Sequence, residues 1–176
     1  MLMAMLLTVG SMAVAQERIQ WMDIQEAEAA CLKQPKKIFV DVYTDWCGWC
    51  KRMDQTTFAD PEVARYMNEN YYAVKFNAER MDTVRFQGYD FVYVPNPNGK
   101  KGVHQLAAAM LQNKMSYPSY VLFNEEMKLV QVIPGYQQTD SFLPILHFFG
   151  EDAYKTTSWN EFVEAYSKRD NNPEKQ

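Results

Sequence analysis

The segment DVYTDWCGWCKRMD, residues 41–54, constrains this chain more than any other. A short apolar run with β-branched residues, KKIFVDVY, leads into it and reads as a buried strand, and helical sequence follows it. Cys47 and Cys50 therefore fall where a strand ends and a helix begins. A helix N-terminus carries partial positive charge and unpaired N–H groups, which favour a thiolate and lower its pKa. In that position Cys47 is expected to be exposed at the helix start and Cys50 to be tucked one turn inward. Three readings compete for such a pair: a redox dithiol, half of a metal site, or packing. Zinc takes four ligands, and only Cys31, His104 and His147 remain, none at ligand spacing. Cu(I) is satisfied by fewer thiolates, so a metal relay stays the rival.

Composition narrows the setting. With 176 residues, 47% hydrophobic and 14% aromatic, the chain can bury one core of single-domain size. A formal net charge of −4 leaves no basic surface of the kind that neutralises phosphates, so no nucleic-acid partner is expected. Three cysteines are too few for a disulfide-stapled miniprotein. Cys31 reads as a small buried hydrophobe, and His104 and His147 as structural or solvent-facing.

The first fifteen residues, MLMAMLLTVGSMAVA, hold no charge and end in Ala13-Val14-Ala15, the small-x-small form of a signal-peptidase site. Residues 1–15 are expected to be a signal peptide, residues 16–168 the domain, and residues 169–176 a disordered tail. One signal-peptide feature is missing, since nothing basic precedes Arg18. The apolar run is shorter than the ~20 residues that cross a bilayer, so no stable membrane insertion is expected. The protein is expected to be exported, to the periplasm.

Further along, WMDIQEAEAACLKQ places Ile24, Ala27 and Cys31 on one face of an amphipathic helix. Asp60 before Pro61 opens another helix, and YYAVKFN is a second strand. YPSYVLFNEEMKLVQVIPGY reads as a hairpin turning at Asn124 to Met127, and a helix over residues 141–149 follows it. This is an α/β layout, a small mixed sheet covered by helices.

At this point the chain resembles the thioredoxin superfamily. WCGWCK is similar to the family's active site, with Gly-Trp between the cysteines. Asp41 stands where the family carries a buried carboxylate, Lys75 in VKFN resembles its lysine partner, Pro118 in YPSYVLF resembles the family's cis-proline, and Gly135 the glycine after the last strand. The resemblance covers roughly residues 21–149 and is nearest to exported thioredoxin-like proteins with a CxxC-Lys-x-Met segment, here CGWCKRM. Two departures stand out. Residues 79–114 form an insertion, read as an extended arm and turn followed by an added helix. A C-terminal helical extension, TSWNEFVEAYSK, spaces Ser158 and Glu161 as a capping box.

The resemblance implies a thiol–disulfide oxidoreductase that needs no organic cofactor and no metal. Its partners would be protein disulfide substrates and a thiol electron donor. Cys47 would attack a substrate disulfide and Cys50 would resolve the mixed disulfide, leaving the Cys47–Cys50 disulfide. Asp41, its pKa set by Lys75, would take the proton of Cys50. Tyr117, before Pro118, would pair with an extended substrate, and Trp46 and Trp49 would form an apolar lip. Reduction is the expected direction. The alternatives are an oxidase or isomerase, and a non-enzymatic module that binds peptides or Cu(I).

Overall fold

A computed structural model describes residues 17–170; the expected signal peptide and residues 171–176 of the expected tail lie outside the described residues. In chain order the first half comprises β1 (Trp21–Met22), α1 (Ile24–Lys33), β2 (Lys37–Tyr43), α2 (Gly48–Gln55), α3 (Pro61–Asn70) and β3 (Tyr71–Asn77). The inserted segment adds β4 (Val84–Phe86), β5 (Tyr89–Phe91), β6 (Tyr93–Val94), β7 (Val103–His104) and α4 (Gln105–Met110). Then come β8 (Ser119–Phe123), β9 (Leu129–Pro134), α5 (Thr139–Gly150) and α6 (Trp159–Asp170).

The main sheet runs β1-β3-β2-β8-β9. β2 lies at its centre, parallel to β3 and antiparallel to β8. Helices cover both faces, which is why β2 reads as an unbroken apolar run rather than an alternating one. Its side chains still alternate. Ile38, Val40 and Val42 join Ile24, Ala27 and Cys31 of α1 and Leu106 and Met110 of α4 in one core. Phe39 enters the other, with Met53 of α2, Val63 and Met67 of α3, and Phe142 and Leu146 of α5. Asp41, two residues beyond Phe39, shares its face and so points toward α2.

Local chemistry sets the helix starts. Asp23 and Glu26 form a reciprocal capping box on α1. Asp60 accepts from the N–H groups of Glu62 and Val63, with Pro61 in the first turn of α3. α6 begins on the Ser158–Glu161 box and packs Trp159 and Phe162 on Phe148, with ring centroids 5.2 and 5.1 Å apart. It runs to Asp170, beyond the expected domain end at residue 168.

The structure differs from the sequence reading in two places here. Trp21 and Met22 do not start the first helix; they pair in parallel with Ala73 and Val74 at the sheet edge. A strand of two residues has no period for a sequence to display. The insertion is more ordered than an arm and a turn, because β4–β5 and β6–β7 are both antiparallel hairpins. Val84 and Phe86 seat the first of them in the core. In the second, Gly102 lies so close to β6 that a Cβ there would be 2.0 Å from the carbonyl oxygen of Val94. His104 is fully buried, its Nδ1 accepting from the Leu106 N–H at 3.2 Å at the start of α4.

Candidate active site

β2 ends beside α2, and Cys47 is the N-cap of that helix. Its sulfur accepts the Cys50 N–H at 3.0 Å and is joined to Cys50 in a disulfide. The expected exposure of Cys47 is not what the structure has: Cys47 is 4% exposed and Cys50 3%. An N-cap side chain folds back over the first N–H groups of its helix, and that turn carries the sulfur inward. What faces solvent instead are the tryptophans before each cysteine, Trp46 at 61% and Trp49 at 63%.

Each tryptophan has a tyrosine partner. Trp46 meets Tyr117 edge to face, centroids 5.9 Å apart at 83°, and Trp49 lies 5.3 Å from Tyr136. Tyr117 precedes Pro118 through a cis peptide bond, and Tyr136 follows Gly135, whose φ is +94°. Burial pushes the Tyr117 phenol up to about 12, and the charge of Glu79 adds to the shift. Each of the two tryptophans expected to form the lip thus packs on its own tyrosine.

β2, β3 and α2 also carry an ionic cluster. Asp41 is opposite Lys75 in the β2–β3 register, and Lys75 Nζ donates to Asp41 Oδ2 at 2.7 Å. The same ammonium also donates to Asp54 of α2. Burial pushes the Asp41 carboxyl up to about 6, although the charge and hydrogen bond of Lys75 pull it down. Asp41 Oδ1 is buried and has no hydrogen-bond partner among the described residues, so the carboxylate charge is only partly compensated there. Burial works against the Lys75 charge, but the two carboxylates outweigh it and its pKa is raised. The rings of Trp21, Phe58 and Tyr43 surround its ammonium at 4.8, 5.1 and 5.3 Å. An open cleft of about 490 Å³ brings solvent to Lys75 and Asp54.

Asp54 was not among the sequence candidates. The signal for it is modest: it follows Cys50 by four residues, one turn along the same face of α2. Glu79 was also missed. Its Oε1 accepts from Trp46 Nε1 at 2.7 Å and its Oε2 pairs with Lys101 Nζ at 2.8 Å. No group of three or more His, Cys, Asp or Glu among the described residues is placed to hold a metal ion. The Cys47–Cys50 pair itself offers two sulfurs once reduced.

Comparison with known proteins converges on the same architecture. The family profile of the thioredoxin-like domain matches residues 24–150. In sequence, Thiol:disulfide interchange protein DsbD of Pectobacterium atrosepticum is 35% identical over 46 residues, 26% of this chain and 8% of that protein. Spermatogenesis-associated protein 20 of Mus musculus is 32% identical over 75 residues, 43% of this chain and 10% of that protein. The matched segments are thus a tenth or less of these relatives' length. In structure, a thioredoxin-fold protein from Helicobacter pylori superposes with a TM-score of 0.59 at 19% identity, over 89% of this chain and 94% of that one. A putative disulphide-isomerase from Bacteroides thetaiotaomicron gives 0.53 at 21% identity, over 76% and 94%.

Proposed function

The chain belongs to the thioredoxin-like domain family, and from that premise we propose that it is a thiol–disulfide oxidoreductase that reduces protein disulfides through Cys47 and Cys50. The observation that carries this reading is the Cys47–Cys50 disulfide at the N-cap of α2, with a buried Asp41 near the end of the strand that leads into it, whose carboxyl is pushed up to about 6.

In the reduced protein the Cys47 thiolate, favoured by the N-terminus of α2, attacks one sulfur of a substrate disulfide. The substrate S–S bond breaks, a Cys47–substrate bond forms, and the first substrate sulfur leaves as a thiolate and takes up a proton. Cys50 then loses its proton, with Asp41 as acceptor, and attacks Cys47. The second substrate thiolate leaves and is protonated. The substrate has gained two electrons and two protons, the protein has formed its internal disulfide, and an external dithiol donor restores it. Burial raises the Asp41 pKa and Lys75 limits the rise, which brings the carboxyl into a range where it can accept that proton, and the cleft reaches its partner Lys75.

Action outside the cytoplasm is part of the same proposal. It is supported by the uncharged run ending in Ala13-Val14-Ala15. Among the described residues no helix is long and apolar enough to cross a membrane. Mature protein from the cell envelope that begins at Gln16 supports export; an intact Met1 counts against it. The direction of electron flow is tested by the reduction potential of the couple. A value of roughly −200 to −270 mV supports reduction, and one near about −120 mV makes the protein an oxidase.

A further inference from the structure

Glu79 stands just past the end of β3, at a junction between the insertion and the loop that carries the first cysteine. Its N–H donates to Asn77 Oδ1 at 2.9 Å, and Asn77 Nδ2 donates to Asp45 Oδ1 at 3.1 Å, two residues before Cys47. The second inserted hairpin is fastened to the same place, because the His104 N–H donates to the Ala78 carbonyl at 2.8 Å. Lys101, next to the close approach of Gly102 to β6, reaches back to Glu79.

The Glu79 side chain is only 11% exposed, and its two carboxylate oxygens have separate partners, one holding Lys101 and the other the Trp46 indole N–H. Trp46 is mostly in water, yet it is fixed at two points, by that hydrogen bond and by its edge-to-face contact with the Tyr117 ring. A solvent-exposed indole without anchors exchanges among rotamers, and a partner that packs on it must first bear the entropy of stopping it. An exposed aromatic already held in one orientation, adjoining the nucleophilic cysteine, is a preorganised contact surface.

We propose that Glu79 is a positioning residue for disulfide exchange: steadied by Lys101 of the inserted hairpin, it holds Trp46 against Tyr117 as a rigid apolar wall for an extended polypeptide whose reactive cysteine is flanked by an aromatic side chain. The proposal rests on the oxidoreductase reading and gives it a substrate class. It also assigns the second hairpin of the insertion a purpose, since without Lys101 the carboxylate would have to hold the indole while bearing its own charge at the edge of the interior.

The test compares wild type, Glu79→Ala and Glu79→Gln, each reduced with dithiothreitol, on three disulfides. These are a peptide with Phe beside its cysteine, the same peptide with Gly there, and 2-hydroxyethyl disulfide. Glu79→Ala should raise KM for the Phe peptide about tenfold more than for the other two, with kcat little changed, the effect expected for one lost aromatic contact. Glu79→Gln retains an acceptor for the indole and should recover most of the loss. The Trp46 indole N–H resonance, assigned with Trp46→Phe, should move in Glu79→Ala and return in Glu79→Gln. Equal losses on all three disulfides, or an unmoved indole resonance, overturn the positioning role. A wild-type protein that reduces none of the three overturns the oxidoreductase reading instead, and the indole resonance then still decides whether Glu79 holds Trp46.

Discussion

Lys75 and Lys101 each tie a carboxylate into the surroundings of the CxxC, and the two clusters differ chiefly in how much water reaches them. The Lys75 side chain is 22% exposed and that of its partner Asp41 2%; for Lys101 and Glu79 the figures are 61% and 11%. Away from water, charge is expensive, and the balance between burial and pairing moves Asp41 up to about 6, into the range where it can trade protons with a thiol. At the rim, water screens the Lys101 charge, and what the pair supplies is the location of an indole ring. On the proposed mechanism, the same two kinds of side chain serve proton chemistry where they are dry and positioning where they are wet. That contrast can be broken experimentally.

The largest effect tests whether either cluster serves the cysteines. Cys47→Ser should abolish disulfide reduction, while Cys50→Ser should accumulate mixed disulfides, visible by non-reducing electrophoresis and mass spectrometry, because attack proceeds and resolution does not. Equal loss without a trapped adduct in Cys50→Ser would remove the chemistry that both clusters are argued to support.

Next in size is the buried carboxyl. The Asp41 pKa is raised in the folded protein from 3.8 to about 6. The stability it contributes is therefore fully present below about pH 4 and lost as pH rises through about 6. That interval corresponds to on the order of 3 kcal/mol. Urea unfolding of the oxidised protein should show wild type weakening between pH 4 and pH 8. Asp41→Asn, with no proton to lose and with Lys75 still paired to Asp54, should show a flatter curve. In the exchange reaction the variant should lag most between about pH 6 and pH 8, where Asp41 is ionised and the thiol is not yet. Superimposable pH profiles would take Asp41 out of the mechanism.

Which parts of this were open to reading from the chain follows the same division between local and assembled features. Asp60 before Pro61, the Ser158–Glu161 box, and the apolar spacing of Ile24, Ala27 and Cys31 act within a turn or two of helix, so the sequence displays them. The Asp41–Lys75 pair came from resemblance, and the β2–β3 register places the two side by side. Asp54 and Glu79 gain their meaning only when α2 brings Asp54 to Lys75 and when the second inserted hairpin folds back on residue 79, contacts between segments that no local pattern encodes. The inward turn of Cys47 was hidden for a related reason. Its spacing announces a helix start, but which way an N-cap sulfur points depends on the Cys50 N–H and sulfur that receive it.

Asp54 offers a smaller test, with a sign that distinguishes its role. Its charge raises the Asp41 pKa, and it shares the Lys75 ammonium. Asp54→Asn removes both influences, leaving Lys75 to Asp41 alone, so the acid limb of the exchange profile should move to lower pH, by less than about one pH unit. An Asp54 that were only a helix surface residue would leave that limb where it is, and a move to higher pH would reverse the assigned coupling.

The smallest expected effect is the one that separates the clusters most cleanly. Lys101→Met leaves the Glu79–Trp46 hydrogen bond in place and removes only an exposed charge, so the rate on an aromatic-flanked peptide should fall by no more than about threefold at low salt. The screening length shrinks from about 30 Å at 0.01 M salt to about 3 Å at 1 M, which should weaken the Lys101–Glu79 pair in wild type and bring the two proteins together. The acid limb set by Asp41 should move much less over the same range, because the Asp41 side chain is 2% exposed and a pair with one buried member is screened less than an exposed one. A salt titration of both readouts on one preparation therefore asks whether burial is what divides the two lysines. If the Asp41 limb moved with salt while the Lys101→Met difference did not, proton chemistry would belong to the wet cluster and positioning to the dry one, the reverse of the assignment made from their exposure.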